Sequence, residues 1–233
     1  MLTLDRGGRA EFLAGVPPFV GLSSAQLRDL AALTRCETVK QRAELFHKGD
    51  AGSELYVVVS GRLKALTTSL EGDDVVFNIH GPGDLVGEIG MLAGLPRTAT
   101  ISALEPCVLL ALSRRDLLGL LRTHPDVALE MLAFVSKRLA HLSELVEDTL
   151  FLNLPLRLAK KLLELSASYG EQTPAGMRLD LKLSQTELGD LVGATRESIN
   201  KQLRSWTSEG LLSVDAGHLV IHRLAELEEL AEP

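Results

Sequence analysis

Glu88 and Arg97 stand at the two ends of a stretch that reads Gly87-Glu88-Ile89-Gly90 and then Leu95-Pro96-Arg97-Thr98-Ala99. A carboxylate in such a place can accept a hydrogen bond from a ribose 2′-hydroxyl. A guanidinium is a planar fork that donates to two phosphate oxygens at once. Thr98 adds a hydroxyl and a backbone N–H, and Gly87 permits close approach of a backbone. Together these groups suit a sugar phosphate held inside an apolar shell. The same two charges could instead pair with each other and brace a surface loop, and the residues alone leave both readings open.

A second constellation lies in the C-terminal third. Ile199, Leu203 and Trp206 recur at helical spacing, which turns Arg196, Glu197, Asn200, Lys201 and Arg204 to the opposite face. Arginine can donate twice to guanine O6 and N7, and glutamate can accept from cytosine N4. Thr195 is the expected N-cap of this helix, whose positive end favours a nearby phosphate. Ahead of it, Ser184-Gln185-Thr186-Glu187 reads as a capping box that opens a shorter helix burying Leu188, Leu191 and Val192. Gly193-Ala194-Thr195 is the tight turn between the two, and Gly210 the stop. Helix, glycine turn and second helix make a helix-turn-helix, with Ser184 and Thr195 among its candidate DNA-binding residues. Val214–Ile221, turning at Asp215-Ala216-Gly217, supplies a wing.

Length and composition bound what these sites can belong to. The chain has 233 residues and a formal net charge of −7, so it is not a basic protein that coats nucleic acid through its global field. DNA binding must come from a local patch. The helix-turn-helix segment as a whole carries at least as many acidic as basic side chains, so its non-specific affinity should be modest. No apolar run is long enough for a bilayer, and Met1 to Ala10 lack a signal-peptide core. Two separated cysteines, Cys36 and Cys107, support neither a disulfide framework nor a metal cluster. The expected compartment is a reducing cytoplasm, with no membrane partner. No nucleophile elbow, Walker loop or His-Glu-x-x-His site is present, so no enzyme is expected, and no metal. His47 and His80 read as satisfied surface or barrel histidines.

The elements that must position these residues follow in blocks. Ser23 to Leu33 is a helix opened by a Ser23-x-x-Gln26 capping box. From about Cys36 to Ser113 short strands alternate with turns: Leu55–Val59, Arg62–Thr68, Val75–Ile79 and Thr98–Leu104. Turns fall at Lys48-Gly49-Asp50, Ser60-Gly61-Arg62, Glu71-Gly72-Asp73-Asp74 and Gly81-Pro82-Gly83-Asp84. This spacing suggests a small barrel or jelly-roll sandwich. Arg114–Arg122 is a short helix, interrupted at His124-Pro125. A long helix runs from about Asp126 to Leu152. Its Val135, Leu139, Leu142, Val146 and Thr149 alternate at spacings of four and three, the seam of a two-stranded coiled coil. An amphipathic helix docked on the barrel is the alternative. Asn153-Leu154-Pro155 breaks the helix and looks like a hinge, followed by helix, a strand near Met177–Leu183, and the helix-turn-helix.

Both motifs, in this order and joined by a long helix, resemble the cyclic-AMP receptor protein family of bacterial transcription regulators. The resemblance spans about Phe19 to His222. It implies an α+β architecture: a cyclic-nucleotide-binding β-roll over 1–125, a dimerisation helix over 126–152, and a winged helix-turn-helix over 153–233. It further implies that Gly87, Glu88, Ile89, Arg97, Thr98 and Ala99 bind the effector, with Glu88 on the ribose and Arg97 and Thr98 on the cyclic phosphate. Arg196 and Glu197 would read a TGTGA-type half-site of a roughly palindromic operator as a homodimer. The loop Glu171–Gly176 resembles the family's contact with RNA polymerase. Two positions depart from the pattern. Leu142-Ser143 stands where members that bind cyclic AMP carry a Thr-Ser pair against adenine, and Lys201 replaces a base-reading arginine. The resemblance implies cyclic AMP as the effector, and Leu142 keeps cyclic GMP or another nucleotide as alternatives. A regulator that is constitutively active, or answers to a different small molecule, is the second functional reading. The N-terminal cysteine cluster of the redox branch is missing.

Overall fold

The computed structural model describes residues 4–69, 72 and 74–232. The turn expected at Glu71-Gly72-Asp73-Asp74 and the start Met1–Thr3 fall partly or wholly outside them. Contacts divide the chain into two compact units, residues 1–140 and 141–233.

The first unit opens with two helices, α1 (Arg6–Ala14) and α2 (Ser24–Leu33). The Ser23/Gln26 capping box of α2 is formed in both directions. Helix α1 was not foreseen, because Gly7-Gly8 obscures its periodicity; Asp5 caps it by accepting from Gly8 N–H at 2.8 Å. Next come β1 (Arg35–Val39), β2 (Glu44–Phe46), β3 (Glu54–Ser60), β4 (Leu63–Thr68), β5 (Asp74–His80) and β6 (Leu85–Val86). Helix α3 (Glu88–Ala93), strands β7 (Thr100–Ala103) and β8 (Cys107–Ser113), and α4 (Arg114–Thr123) complete the roll. The strands form two antiparallel four-stranded sheets, ordered β1-β8-β3-β6 and β2-β7-β4-β5.

The two sheets face each other across a core that includes Val58, Leu63, Val86, Ile101, Leu109 and Ala111. The outer face of the first sheet, through Leu55, Val57, Leu85, Leu110 and Leu112, packs on Leu30 of α2, Leu117 of α4 and their neighbours. The central strand β8 is thus buried on both faces. That is why Cys107–Ser113 shows no alternation and was not legible as a strand.

Helix α5 (Pro125–Phe151) starts at the expected proline. Its first turns dock on the roll through Val127 and Met131. Beyond them Leu132, Leu139, Leu142 and Val146 are all exposed, and Val135 is 37% exposed. The docked-helix alternative therefore holds only for the first turns, and the 3.5-residue seam stays open.

In the second unit Asn153 caps α6 (Leu154–Tyr169), its side chain accepting from Leu156 N–H at 3.1 Å, with Pro155 in the first turn. A hairpin, β9 (Gly170–Thr173) and β10 (Gly176–Leu179), stands where a loop at Glu171–Gly176 and a strand to Leu183 were expected. The strand is short because β10 meets the next sheet partner only at Met177 and Arg178. Helices α7 (Gln185–Val192) and α8 (Arg196–Ser208), the hairpin β11 (Leu212–Asp215) and β12 (His218–Ile221), and α9 (Leu224–Leu230) follow. The sheet order β11-β12-β10-β9 joins the two hairpins into one four-stranded wing. Among the described residues no helix is long and apolar enough to cross a membrane.

Leu203 is 5% exposed and packs on the buried side of α8 with Ile199 and Trp206. Leu203→Ala is expected to cost about 2–5 kcal/mol. Urea unfolding followed by the fluorescence of Trp206, the chain's single tryptophan, reads it directly. An unchanged midpoint would count against the packing.

Candidate functional site

Arg97 is inside the roll, only 4% exposed. Its backbone is pinned first: Arg97 N–H donates to Asp50 O at 2.8 Å, and Gly49 N–H donates to Arg97 O at 2.9 Å. The preceding Leu95-Pro96 carbonyls press against two glycines. A Cβ at Gly52 would lie 2.9 Å from Leu95 O, and one at Gly90 would lie 2.9 Å from Pro96 O. From there the side chain turns inward. Its Nη1 donates to Glu54 O at 2.7 Å and to Gly87 O at 3.0 Å. The guanidinium lies 4.0 Å from the ring centroid of Phe46, a cation–π stack. Burial pushes the Arg97 pKa below the usual arginine value, with the nearby Tyr56 and Glu54 opposing it.

Gly87 makes this geometry possible. Its φ is +85°, and a Cβ there would sit 2.3 Å from Arg97 Nη1. The guanidinium is still incompletely satisfied: Arg97 Nε is buried and has no hydrogen-bond partner among the described residues. An unpaired buried donor of this kind costs about 1–3 kcal/mol.

Glu88 is 2% exposed, but its partner is not Arg97. Arg138 of α5 donates through Nη1 to Glu88 Oε1. The ion pair weighed from sequence, Glu88 with Arg97, is thus not the one formed. Arg138 was missed because nothing in its own helix marks it. Its role appears only when β5, α3 and α5 come together. Of the other expected site residues, Ala99 is buried at 9%, whereas Thr98 and Ile89 are exposed. Leu142 and Ser143 lie further along α5, in the second unit, and both are exposed.

In the second unit the turn between α7 and α8 is built as expected. Gly193 has φ +66°, and Thr195 accepts from Ser198 N–H at 3.2 Å as N-cap. Gly189, overlooked from sequence, lets Ala194 O approach to 2.5 Å of where its Cβ would stand. Arg196, Glu197, Lys201 and Arg204 are exposed on one side of α8, and Asn200 is half-buried among them. Ser184 is exposed, with its hydroxyl committed to the capping box with Glu187. Arg157 was also missed. Its guanidinium donates to Val192 O at 2.9 Å, to Gly193 O at 3.3 Å and to Leu152 O at 2.9 Å. It fastens the helix-turn-helix turn to the end of α5.

A buried guanidinium beside a carboxylate in a β-roll, and an exposed polar stripe on a capped second helix, define two separate sites on one chain. Family models divide the chain the same way. A cyclic nucleotide-binding domain matches residues 36–124, and a Crp-like helix-turn-helix domain matches residues 156–230. The class is a cyclic-nucleotide-binding module joined to a DNA-binding module. The chain is 30% identical over 219 residues to the cyclic AMP receptor protein of Thermus thermophilus, covering 94% of this chain and 98% of that one. It is 26% identical over 211 residues to the CRP-like cAMP-activated global transcriptional regulator of Mycobacterium tuberculosis, covering 91% and 94%. A solved structure, the c-di-GMP-responsive global regulator of Xanthomonas campestris, matches with a TM-score of 0.73 at 24% identity, covering 86% and 99%. The chain belongs to the cyclic-AMP receptor protein family (CRP/FNR type). It is a DNA-binding transcription regulator with a cyclic nucleotide-binding domain, and the curated relatives named here are transcription regulators.

Gly87→Ala forces a methyl group onto a φ of +85° and against Nη1. It is expected to cost about 1–3 kcal/mol in thermal unfolding. A variant as stable as the parent would contradict this close approach.

Proposed function

We propose that this regulator is gated by a cyclic nucleotide, cyclic AMP in the first place, and binds a palindromic operator as a homodimer. The observation that carries the reading is the Arg97 guanidinium. It is buried, stacked on Phe46, and left with an Nε that no described group satisfies. An anionic cyclic phosphate supplies the missing acceptor and offsets the cost of holding a cation away from water. Glu88 uses Oε1 for Arg138, which leaves its other oxygen for a ribose 2′-hydroxyl. Thr98 and Ala99 follow Arg97 in sequence and complete the phosphate side. Gly87 and Ile89 flank Glu88.

The name of the Thermus thermophilus relative, and the cAMP-activated description of the mycobacterial one, speak for cyclic AMP. Leu142 gives a specific reason to keep a second effector in view. Its side chain offers no hydrogen bond to a purine, so discrimination between bases should be weaker than a polar pair would give. Cyclic GMP, another nucleotide, or constitutive binding are the alternatives. They separate in a titration of each nucleotide against operator affinity.

The open seam on α5 supports the dimer. Leu132, Leu139, Leu142 and Val146 expose an apolar row at coiled-coil spacing. On this reading residues 126–152 pair two copies, and 1–125 and 153–233 carry the effector and DNA functions. Two-fold symmetry then sets recognition helices about one DNA turn apart. Arg196 and Glu197 read base edges. Lys201, Asn200 and Arg204 flank them, while Ser184 and Thr195 approach phosphates. Lys201 is a flexible point donor and should read its base pair less strictly than arginine. Glu171–Gly176, now seen as part of a hairpin, is the surface we assign to RNA polymerase. The working compartment is the one that holds the DNA, the cytoplasm.

Calorimetric titration tests the effector role. Arg97→Ala should lose cyclic-AMP binding by about a hundred-fold or more while remaining folded, since hydrogen bonds to charged groups contribute about 1.5–3 kcal/mol each. Unaltered affinity would remove the phosphate role. For DNA, Arg196→Ala should lose about 1–3 kcal/mol of discrimination between operator and scrambled duplex. Retained discrimination in fluorescence anisotropy would contradict base reading by this residue. For assembly, Leu139→Glu should shift the protein from dimer to monomer in sedimentation. A dimer of unchanged stability would move the interface elsewhere.

A further inference from the structure

His80 lies at the end of β5 and is 6% exposed. Buried histidines are commonly satisfied by a backbone carbonyl, as His218 is by Leu179 O at 2.9 Å. His80 is held differently. Its Nδ1 lies 3.2 Å from Nη2 of Arg138, whose Nη1 donates to Glu88. A guanidinium has only donors, so Nδ1 must be the acceptor, and the imidazole is neutral with its proton on Nε2. Burial and the positive charge of Arg138 agree with that state, lowering the His80 pKa to about 3. The nearby Asp84 carboxylate, 4.0 Å from Nδ1, already accepts from Gly81 N–H at 2.8 Å.

Arg138 is therefore fixed from three sides. Glu88 takes one arm and His80 the other, and the Phe134 ring lies 5.0 Å from its guanidinium carbon. A fork held at only one arm can rotate and drag the carboxylate with it. Held at both, it sets which way the Glu88 carboxylate faces. From this we infer that His80 is a positioning residue for ribose recognition, acting through Arg138 on Glu88. The inference rests on the reading of Glu88 as the acceptor for the ribose 2′-hydroxyl.

The test compares cyclic AMP with 2′-deoxy cyclic AMP by calorimetry on the full-length chain, in the parent, His80→Leu and His80→Gln. The parent should prefer the ribose form. His80→Leu, which fills the space but accepts nothing, should cut that preference by on the order of ten-fold. Its affinity for the deoxy nucleotide should stay within about two-fold. His80→Gln, whose amide oxygen can accept from Arg138, should restore most of the preference. Equal weakening of both nucleotides in His80→Leu means a merely structural role and overturns the inference. So does an unchanged preference, or a glutamine variant that behaves like leucine. A parent chain that binds cyclic AMP without preferring its 2′-hydroxyl removes the ribose role of Glu88 and this inference, but leaves the phosphate site. A parent that binds neither nucleotide overturns the proposed function as well.

Discussion

Keeping one guanidinium out of water constrains the whole N-terminal unit. Moving an unpaired cation into a protein interior costs several kcal/mol after relaxation, so Arg97 needs fixed partners from several directions. Glu54 and Gly87 provide carbonyls, and Phe46 provides the face of a ring. These partners come from β2, β3 and the turn before α3, elements that only the closed roll brings together. Gly87, Gly90 and Gly52 have a common purpose here. Each removes a Cβ that would otherwise keep the arginine, or the loop that carries it, at a distance. The residual orphan, Nε, is the part of the site that no described residue answers.

Helix α5 is fastened by a guanidinium at two places, its middle and its last turn, and in different ways. Arg138 joins it to the side chains of Glu88 and His80. Arg157 joins its last turn to the carbonyls of Val192 and Gly193, which are backbone and do not titrate. On the proposed reading the first fastening lies at the effector site, whereas the second ties the helix-turn-helix turn to the helix end. A ligand can shift such an equilibrium only by as much as it distinguishes the two states. On the proposed reading the Glu88–Arg138 contact is where that difference would arise, because a ribose hydroxyl would share the carboxylate with Arg138.

Much of this was legible in the sequence, for local reasons. The capping boxes at Ser23 and Ser184, the break at His124-Pro125 before α5 and the positive-φ turn at Gly193 are written in a few adjacent residues. The polar stripe of α8 follows from helical periodicity alone. Strand β8 was hidden because burial on both faces erases alternation, and α1 because its glycines lower helix propensity. At the site, Arg97 and Glu88 were visible as residue types in a marked loop. Their partners were not, because Arg138, His80, Phe46 and Glu54 are distant in the chain and meet only through topology. The loop at Glu171–Gly176 was misread for a related reason. Its polar residues have low strand propensity, and pairing across Thr173 and Gly176 overrides that preference.

The gating claim is tested most directly by operator affinity of the unmodified chain, measured by fluorescence anisotropy at one fixed salt concentration with and without cyclic nucleotide. A nucleotide that couples to DNA binding by about 1–3 kcal/mol tightens the complex roughly 5- to 150-fold, and this is the expected result with cyclic AMP. Identical operator affinity with and without cyclic AMP, cyclic GMP or c-di-GMP would contradict it, and would leave a regulator whose buried arginine does not sense a nucleotide.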